Sequence, residues 1–173
     1  MGLGGGAKPA LRRPEPLTAA HDVAGFACGE PTLDDWLRRR AVANQISGVS
    51  RTYVLVGDVR VIGYYTLAAG AIAVTEAPGR VRRNMPDPIP MAVLGRLAID
   101  QTRQGQGFGH LLLRDAVLRT HQAAETIGIR GLLVHALSPA AKRFYESLGF
   151  RESPANPMTL MVTLADAGVA IDG

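Results

Sequence analysis

A single cysteine, Cys28, in 173 residues leaves no internal disulfide and excludes a zinc site built on clustered thiols. His21 is its only chemically suitable neighbour in sequence, so Cys28 reads as a small apolar filler rather than a nucleophile. Apolar runs of about 18 residues are also missing, which argues against a membrane-spanning helix. The glycine-rich start, Met1 to Lys8, lacks the apolar centre of a signal peptide, and the expected location is the cytoplasm. Lysine is nearly absent: only Lys8 and Lys142 occur, so the net charge of +4 is carried by arginine. Arginine's planar fork suits phosphate, which favours an anionic partner. A GC-rich coding bias would exchange lysine for arginine in the same way, so clustering says more than the total. Internal repeats and linkers are absent as well, and the length suits one domain with a sizeable core.

What is present is organised around Arg96 to His110, an apolar run followed by a short polar loop and three alternating glycines that open a helix. In Gln104-Gly105-Gln106-Gly107-Phe108-Gly109 the missing side chains let backbone N–H groups approach an anion, and the positive end of the following helix would hold it. The stretch therefore reads as a pyrophosphate cradle. A dinucleotide fingerprint counted from Gly105 needs a sixth glycine where His110 stands, and no Gly-Lys-Ser/Thr of a P-loop occurs. The competing reading is a plain glycine turn between strand and helix.

The order of elements can be read along the chain. Residues 1–10 form a disordered lead and 165–173 a loose tail, leaving 11–164 as the domain. Leu11 to Leu17 suits an edge strand interrupted by Pro14 and Pro16. Thr32 is placed to cap a helix with Asp34 and Asp35 in its first turn and Arg38 to Arg40 later, in the order that suits the helix dipole. Leu33, Trp36, Leu37, Arg40 and Ala41 share one face of it. Two β-rich runs, 51–56 and 59–69, meet at a Gly57-Asp58 turn. The arginine-crowded stretch Arg80 to Pro90 is a basic loop whose prolines forbid helix. A strand over 91–99, a helix of about 20 residues from Gly107, a strand over 129–136, a helix from Ser138-Pro139 to Leu148 stopped at Gly149, and a strand over 158–164 complete a mixed α/β domain. The fold class is a mostly antiparallel twisted sheet flanked by helices.

Two motifs carry a resemblance. Gln104-x-x-Gly107-x-Gly109 is similar to the acetyl-coenzyme A loop of the GNAT N-acetyltransferases, and Ala141-x-x-Phe144-Tyr145-x-x-x-Gly149-Phe150 resembles the last motif of that superfamily. Three longer stretches narrow it: His21-Asp-Val-x-x-Phe26 with Gly29-Glu30-x-x-Leu33-Asp-x-Trp36-Leu37, then Arg82-Arg-Asn-Met-Pro-Asp-Pro-Ile-Pro90, then Arg96-Leu-Ala-Ile-Asp100. These resemble the GNAT toxins of bacterial toxin–antitoxin pairs, over about residues 16 to 164. The resemblance implies acetyl transfer from acetyl-coenzyme A, without a metal, to the α-amino group of aminoacyl-tRNA, blocking translation. It also implies a homodimer neutralised by a ribbon-helix-helix antitoxin, with operator DNA reached only through that partner.

Carried over residue by residue, the resemblance puts coenzyme contacts at Leu97, Ala98 and Ile99, at Gln104, Gly105, Gln106, Gly107, Phe108 and Gly109, and at Ser138, with Tyr145 as catalytic acid. Phe144, Leu148 and Phe150 recur at core spacing and read as packing. In such a reaction a backbone N–H of the strand 97–99 would steady the oxyanion while Tyr145 protonates the departing thiolate. No carboxylate announces itself as general base, and an α-amine with a pKa near 8 is already partly neutral around pH 7. Arg38, Arg82, Arg83 and Arg96 are the candidates for RNA phosphate, with pairing to Asp100 as the alternative for Arg96. A housekeeping enzyme acetylating a small amine or a protein N-terminus is the competing function, and acidic side chains around the site would be its mark.

Overall fold

The computed structural model describes residues 12–172, so the proposed disordered lead, residues 1–10, lies outside the described residues. A seven-stranded sheet runs in the order β1-β2-β3-β4-β5-β7-β6. Its strands are β1 (Glu15–Pro16), β2 (Arg51–Gly57), β3 (Arg60–Ile72), β4 (Ile89–Ile99), β5 (Gly131–His135), β6 (Arg151–Glu152) and β7 (Thr159–Thr163). All neighbours are antiparallel except β4 and β5, which are joined by the crossover helix α4 (Phe108–Ala124).

The two sheet faces are covered by different helices. Tyr65, Leu94, Leu132 and Val162 pack with Leu112, Leu113, Ala116 and Val117 of α4 in the main cluster, which also takes in Tyr145 and Phe150. The tyrosine one residue earlier, Tyr64, faces the other way, as strand alternation requires, and packs with Leu33, Trp36 and Leu37 of α1 (Pro31–Arg39) and Ala41 of α2 (Ala41–Ser47). A third cluster seats Val81 of the short helix α3 (Gly79–Arg82) on Met91, Leu133 and Met161. Helix α4 is tied to the sheet by a buried bond from the Tyr65 hydroxyl to Asp115, 2.5 Å, and Arg119 pairs with the same carboxylate at 2.9 Å.

Several boundaries differ from the sequence reading. Helix α1 begins at Pro31 after Glu30 with no side-chain cap, because proline's fixed φ at the first position replaces the expected Thr32 cap. Gly57 pairs with Arg60, so the hairpin turns on Asp58-Val59, with Asp58 at φ 57°. The basic stretch does admit a turn of helix, α3, since its prolines begin only at Pro86. The supposed loose tail is a helix, α6 (Leu164–Asp172), which continues the domain past residue 164. Leu164, Ala167 and Ile171 recur at helical spacing and are buried in the main cluster, Asp166 N–H is received by Thr163 Oγ1 at 3.2 Å, and the Asp166 carboxylate is gripped by Arg80.

What positions the site is the behaviour of β4. It pairs with β3 along its whole length, with a register shift that leaves Gly95 opposite no partner: Thr66 faces Arg96 and Leu67 faces Leu94. Its pairing with β5, by contrast, covers only Met91–Leu94 against Gly131–Val134. Beyond the bulge one edge of β4 is free and the two strands part.

Candidate active site

The parting strands open a cleft of about 550 Å³, lined by the free half of β4, the end of β5, the loop before α1 and the helix α5 (Pro139–Ser147). Backbone groups of residues 95–99 on the open edge have no strand to pair with, and a ligand lying in the cleft can take that place as an added strand would.

At the far end of β4 the chain is fixed by Asp100. Its buried carboxylate accepts from Arg60 Nη1 at 3.0 Å, Ala27 N at 3.1 Å, Thr102 N at 3.0 Å and Thr102 Oγ1 at 2.7 Å. Burial opposes its ionisation, yet the Arg60 guanidinium and these donors together hold the carboxyl well below the usual range. Arg96 therefore does not pair with Asp100. The glycine turn follows, with Gly105 at φ 75° and Gly107 at φ 86° in the N-cap position of α4. A Cβ at either glycine would meet no atom within 4 Å, so the protein itself does not need the space. The left-handed backbone is what glycine supplies, and the space above the first turn of α4 is left for a ligand.

The predicted cofactor residues fall into distinct roles. Leu97 and Ile99 direct their side chains to the α4 cluster and Ala98 to the α1 cluster, all three lining the cleft. Gln104 is a brace: its Nε2 donates to Cys28 O at 2.8 Å and Ile99 O at 2.9 Å, tying the loop before α1 to the strand end. Gln106 Nε2 donates to Thr102 O at 3.4 Å, and Phe108 packs partly buried on the core. Gly105 and Gly109 line the cleft. Ser138 lines it too and caps α5, its Oγ accepting from Ala141 N at 3.1 Å.

Tyr145 comes off α5 with its ring between Phe144 and Phe150, at centroid distances of 5.2 and 5.3 Å, and only 5% exposed. It lines the cleft, and its hydroxyl has no hydrogen-bond partner among the described residues. Burial raises its pKa far above the ordinary tyrosine value, so the hydroxyl stays protonated at any physiological pH.

Further residues lining the cleft have a different chemistry, most of it not assigned to the site from the sequence. Arg96 lays its guanidinium 3.9 Å over the Trp36 ring. Glu30, exposed, is the one carboxylate among the lining residues. His135, also lining it, is oriented by a 2.9 Å contact of Nδ1 with Thr159 Oγ1. Cys28 lines the cleft as well, but burial and a hydrogen bond with Asp34 push its thiol up to about 11, which leaves it unreactive as a nucleophile near neutrality. The sequence names Arg96 as a phosphate candidate, but that it shares a cleft with Glu30, His135 and Cys28 is not legible from local spacing, since three separate segments supply them. The other candidate arginines lie elsewhere. Arg38 donates to Phe26 O at 3.0 Å and lies 3.4 Å from Asp35, so much of its fork is engaged within the fold. Arg82 and Arg83, exposed, border a separate open groove of about 1210 Å³ with Arg80 and Arg130, at the Pro90 end of β4.

A model of the acetyltransferase (GNAT) domain matches residues 48–152 of this chain. The chain is a GNAT acetyltransferase. It is 51% identical over 158 residues to a tRNA-acetylating toxin of Mycobacterium tuberculosis (strain ATCC 25618 / H37Rv), covering 91% of this chain and 95% of the relative. Its fold is similar to that of AtaT complexed with acetyl-methionyl-tRNAfMet, with a TM-score of 0.85 and 34% identity over 92% of this chain and 98% of that one. A tyrosine-to-phenylalanine mutant of AtaT, bound to the C-terminus of its antitoxin AtaR and to acetyl-CoA, matches with a TM-score of 0.79 and 33% identity over 94% and 99% of the two chains.

Acetyl-coenzyme A, when bound, supplies an activated acyl group and a thiol leaving group. The glycine turn and the start of α4 would offer N–H donors to its phosphates, the free edge of β4 would offer donors and acceptors to its amide-bearing arm, and the Tyr145 hydroxyl, on the cleft wall, would be the proton source for its sulfur. Among the described residues no group of His, Cys, Asp and Glu could hold a metal ion, and no helix is long and apolar enough to cross a membrane.

Proposed function

We propose that this enzyme transfers the acetyl group of acetyl-coenzyme A to the α-amino group of aminoacyl-tRNA and so blocks translation. It acts as the toxin of a toxin–antitoxin pair. The observation that carries this reading is the 51% identity, over nearly the whole of both chains, to a relative described as a tRNA-acetylating toxin. The surface chemistry supports it: arginine stands at the acceptor mouth and along the outer groove, facing a substrate that is a polyanion. The enzyme works in the cytoplasm as a homodimer, restrained by a ribbon-helix-helix antitoxin through which alone it meets operator DNA.

Tyr145 is the catalytic acid in this reading, and coenzyme contacts come from Leu97 to Ile99, Gln104 to Gly109 and Ser138. Tyrosine and thiol differ in unperturbed pKa by about 1.5 units, so protonating a thiolate costs about 2 kcal/mol in water. Burial that raises Tyr145 would raise a thiol in the same surroundings too, so the two shifts offset each other and the gap stays near its value in water. The acceptor needs little help, because an α-amine with a pKa near 8 is partly neutral at pH 7.

The test is acetylation of purified aminoacyl-tRNA with acetyl-coenzyme A. Tyr145→Phe keeps the ring in its aromatic packing, so it should fold and bind the coenzyme while turnover drops roughly a hundredfold or more. A fully active Tyr145→Phe would remove the acid from its role. Acetylation of small amines or protein N-termini, with aminoacyl-tRNA left untouched, would favour the housekeeping function instead.

A further inference from the structure

Among the described residues, the arginines that are neither fully exposed nor fully buried have their N–H groups committed, with one exception. Arg60 donates to Asp100 and Thr102, Arg103 to Asp58, Arg119 to Asp115 and Pro14, and Arg130 to the carbonyls of Arg80 and Val81. The Arg96 side chain has no hydrogen bond and no ion pair among the described residues. Its guanidinium is held flat against Trp36, whose other neighbour is the Tyr64 ring, stacked at 6.0 Å and 10°. Tyr64 is itself fixed, donating to Leu33 O at 2.7 Å. A planar fork of donors is thus partly withdrawn from water, backed by a stacked aromatic pair, and placed on the wall of the cleft with no carboxylate in ion-pair contact among the described residues, Glu30 of the same lining included. Such a cation is costly to leave unpaired, and the missing anion is expected from the ligand.

We infer that Arg96, seated on Trp36, binds the last phosphodiester of the acceptor end, the one joining the two final nucleotides. This rests on the aminoacyl-tRNA reading and narrows it to a subsite. The covalent geometry of the substrate selects that phosphate. Eight bonds separate an α-amine from the 5′-phosphate of the nucleotide that carries the ester, at most about 10 Å. Arg96 lies on the open half of β4 beside Gly95 and Leu97, so its fork is within a side chain's length of the edge where the acyl group must lie. The Arg82 and Arg83 groove adjoins Pro90, and extended chain from Pro90 to Ala98 spans roughly 25 Å, too far for a phosphate so close to the amine. Stacking on Trp36 also explains why arginine serves here: a lysine has neither the flat face nor the fork.

The experiment measures kcat/KM for three acceptors carrying the same amino acid: an aminoacyl-adenosine with no phosphate, an aminoacyl-CpA dinucleotide with one phosphodiester, and the whole aminoacyl-tRNA. The unaltered enzyme should prefer the dinucleotide to the nucleoside roughly ten- to a hundredfold, the scale of a charge-assisted pair. Arg96→Ala should erase that preference, so that within this variant the dinucleotide and the nucleoside react at rates equal within about twofold. Arg96→Lys should restore only part of it, and Arg82→Ala with Arg83→Ala should affect the whole tRNA alone. Retained acetyl-coenzyme A binding by each variant shows that the cleft is intact. Equal rates on nucleoside and dinucleotide with the unaltered enzyme would overturn the subsite without touching the proposed function. So would loss of antitoxin binding in Arg96→Ala with the dinucleotide rate unchanged, which would give the fork to a protein carboxylate. Failure of the unaltered enzyme to acetylate any of the three would overturn the proposed function itself.

Discussion

From Met91 to Leu94, β4 is bonded on both edges and its side chains fill two core clusters; from Arg96 to Ile99 it is bonded on one edge and borders a cleft. The same strand thus serves as scaffold and as site, and Gly95 marks the change. The closed half is the more constrained of the two, with Met91 and Leu94 buried in the core and strands on both edges. The open half keeps unpaired backbone groups that water satisfies until a ligand replaces it. The open edge is held straight from outside, by β3 along its length and by Asp100, Arg60 and Gln104 at its end.

The comparison breaks first, and hardest, at Gly131, where β5 pairs with Met91 on one side and Thr163 on the other. A Cβ there would collide with the carbonyl oxygen of Val162, a backbone atom that cannot swing aside. Gly131→Ala should cost about 3 kcal/mol or more, at the upper end of overpacking, read as a fall in the denaturation midpoint. Full stability in that variant would mean that the closed half is less rigid than its pairing implies.

In the open half the matching change is Gly107→Glu, which adds bulk, charge and a disfavoured left-handed residue where phosphate would sit. The unaltered protein should gain about 2.7 kcal/mol of stability at a hundredfold excess of acetyl-coenzyme A over Kd, seen as a raised Tm, and the variant should gain none. Its own stability without coenzyme should fall by only about 1 kcal/mol, the cost of a non-glycine residue in the left-handed region. The two glycines would then fail in opposite ways, one in folding and one in binding.

The sequence carried the order of elements because each is locally patterned, from the α4 stripe of Leu112, Leu113, Ala116 and Val117 to the Ser138-Pro139 start of α5. It also exposed the glycine turn and the tyrosine motif, whose spacing is local. What it hid was pairing at a distance. Nothing near Arg96 says that β5 leaves β4 after Leu94, or that Trp36, sixty residues earlier in the chain, will lie beneath its guanidinium. The bracing bond from Gln104 to Cys28 O was hidden in the same way, because its partner lies in another segment. Helix α6 was missed although Leu164, Ala167 and Ile171 hold the right spacing, since it follows β7 with no turn residue between them.

The smallest expected effect concerns Arg82 and Arg83, which sit outside both halves of the comparison, in the open groove beside Pro90. Both are exposed, and neither side chain has a hydrogen-bond or ion-pair partner among the described residues, whereas Arg80 is bound to Asp166 and Arg130 to the carbonyls of Arg80 and Val81. In the proposed function the free pair touches phosphates of the acceptor stem well away from the reacting amine. Such contacts release counterions, so their loss should weaken tRNA binding alike for every aminoacyl-tRNA and lower the slope of log K against log salt by about 0.9 per duplex phosphate. Replacing both with alanine should therefore flatten that slope by up to about 1.8, with coenzyme-induced stabilisation and turnover at saturating tRNA unchanged. Exposed arginines contribute little to folding, so the Tm should hold. An unaltered salt slope would move the stem to another basic surface and leave Arg96 as the arginine nearest the chemistry.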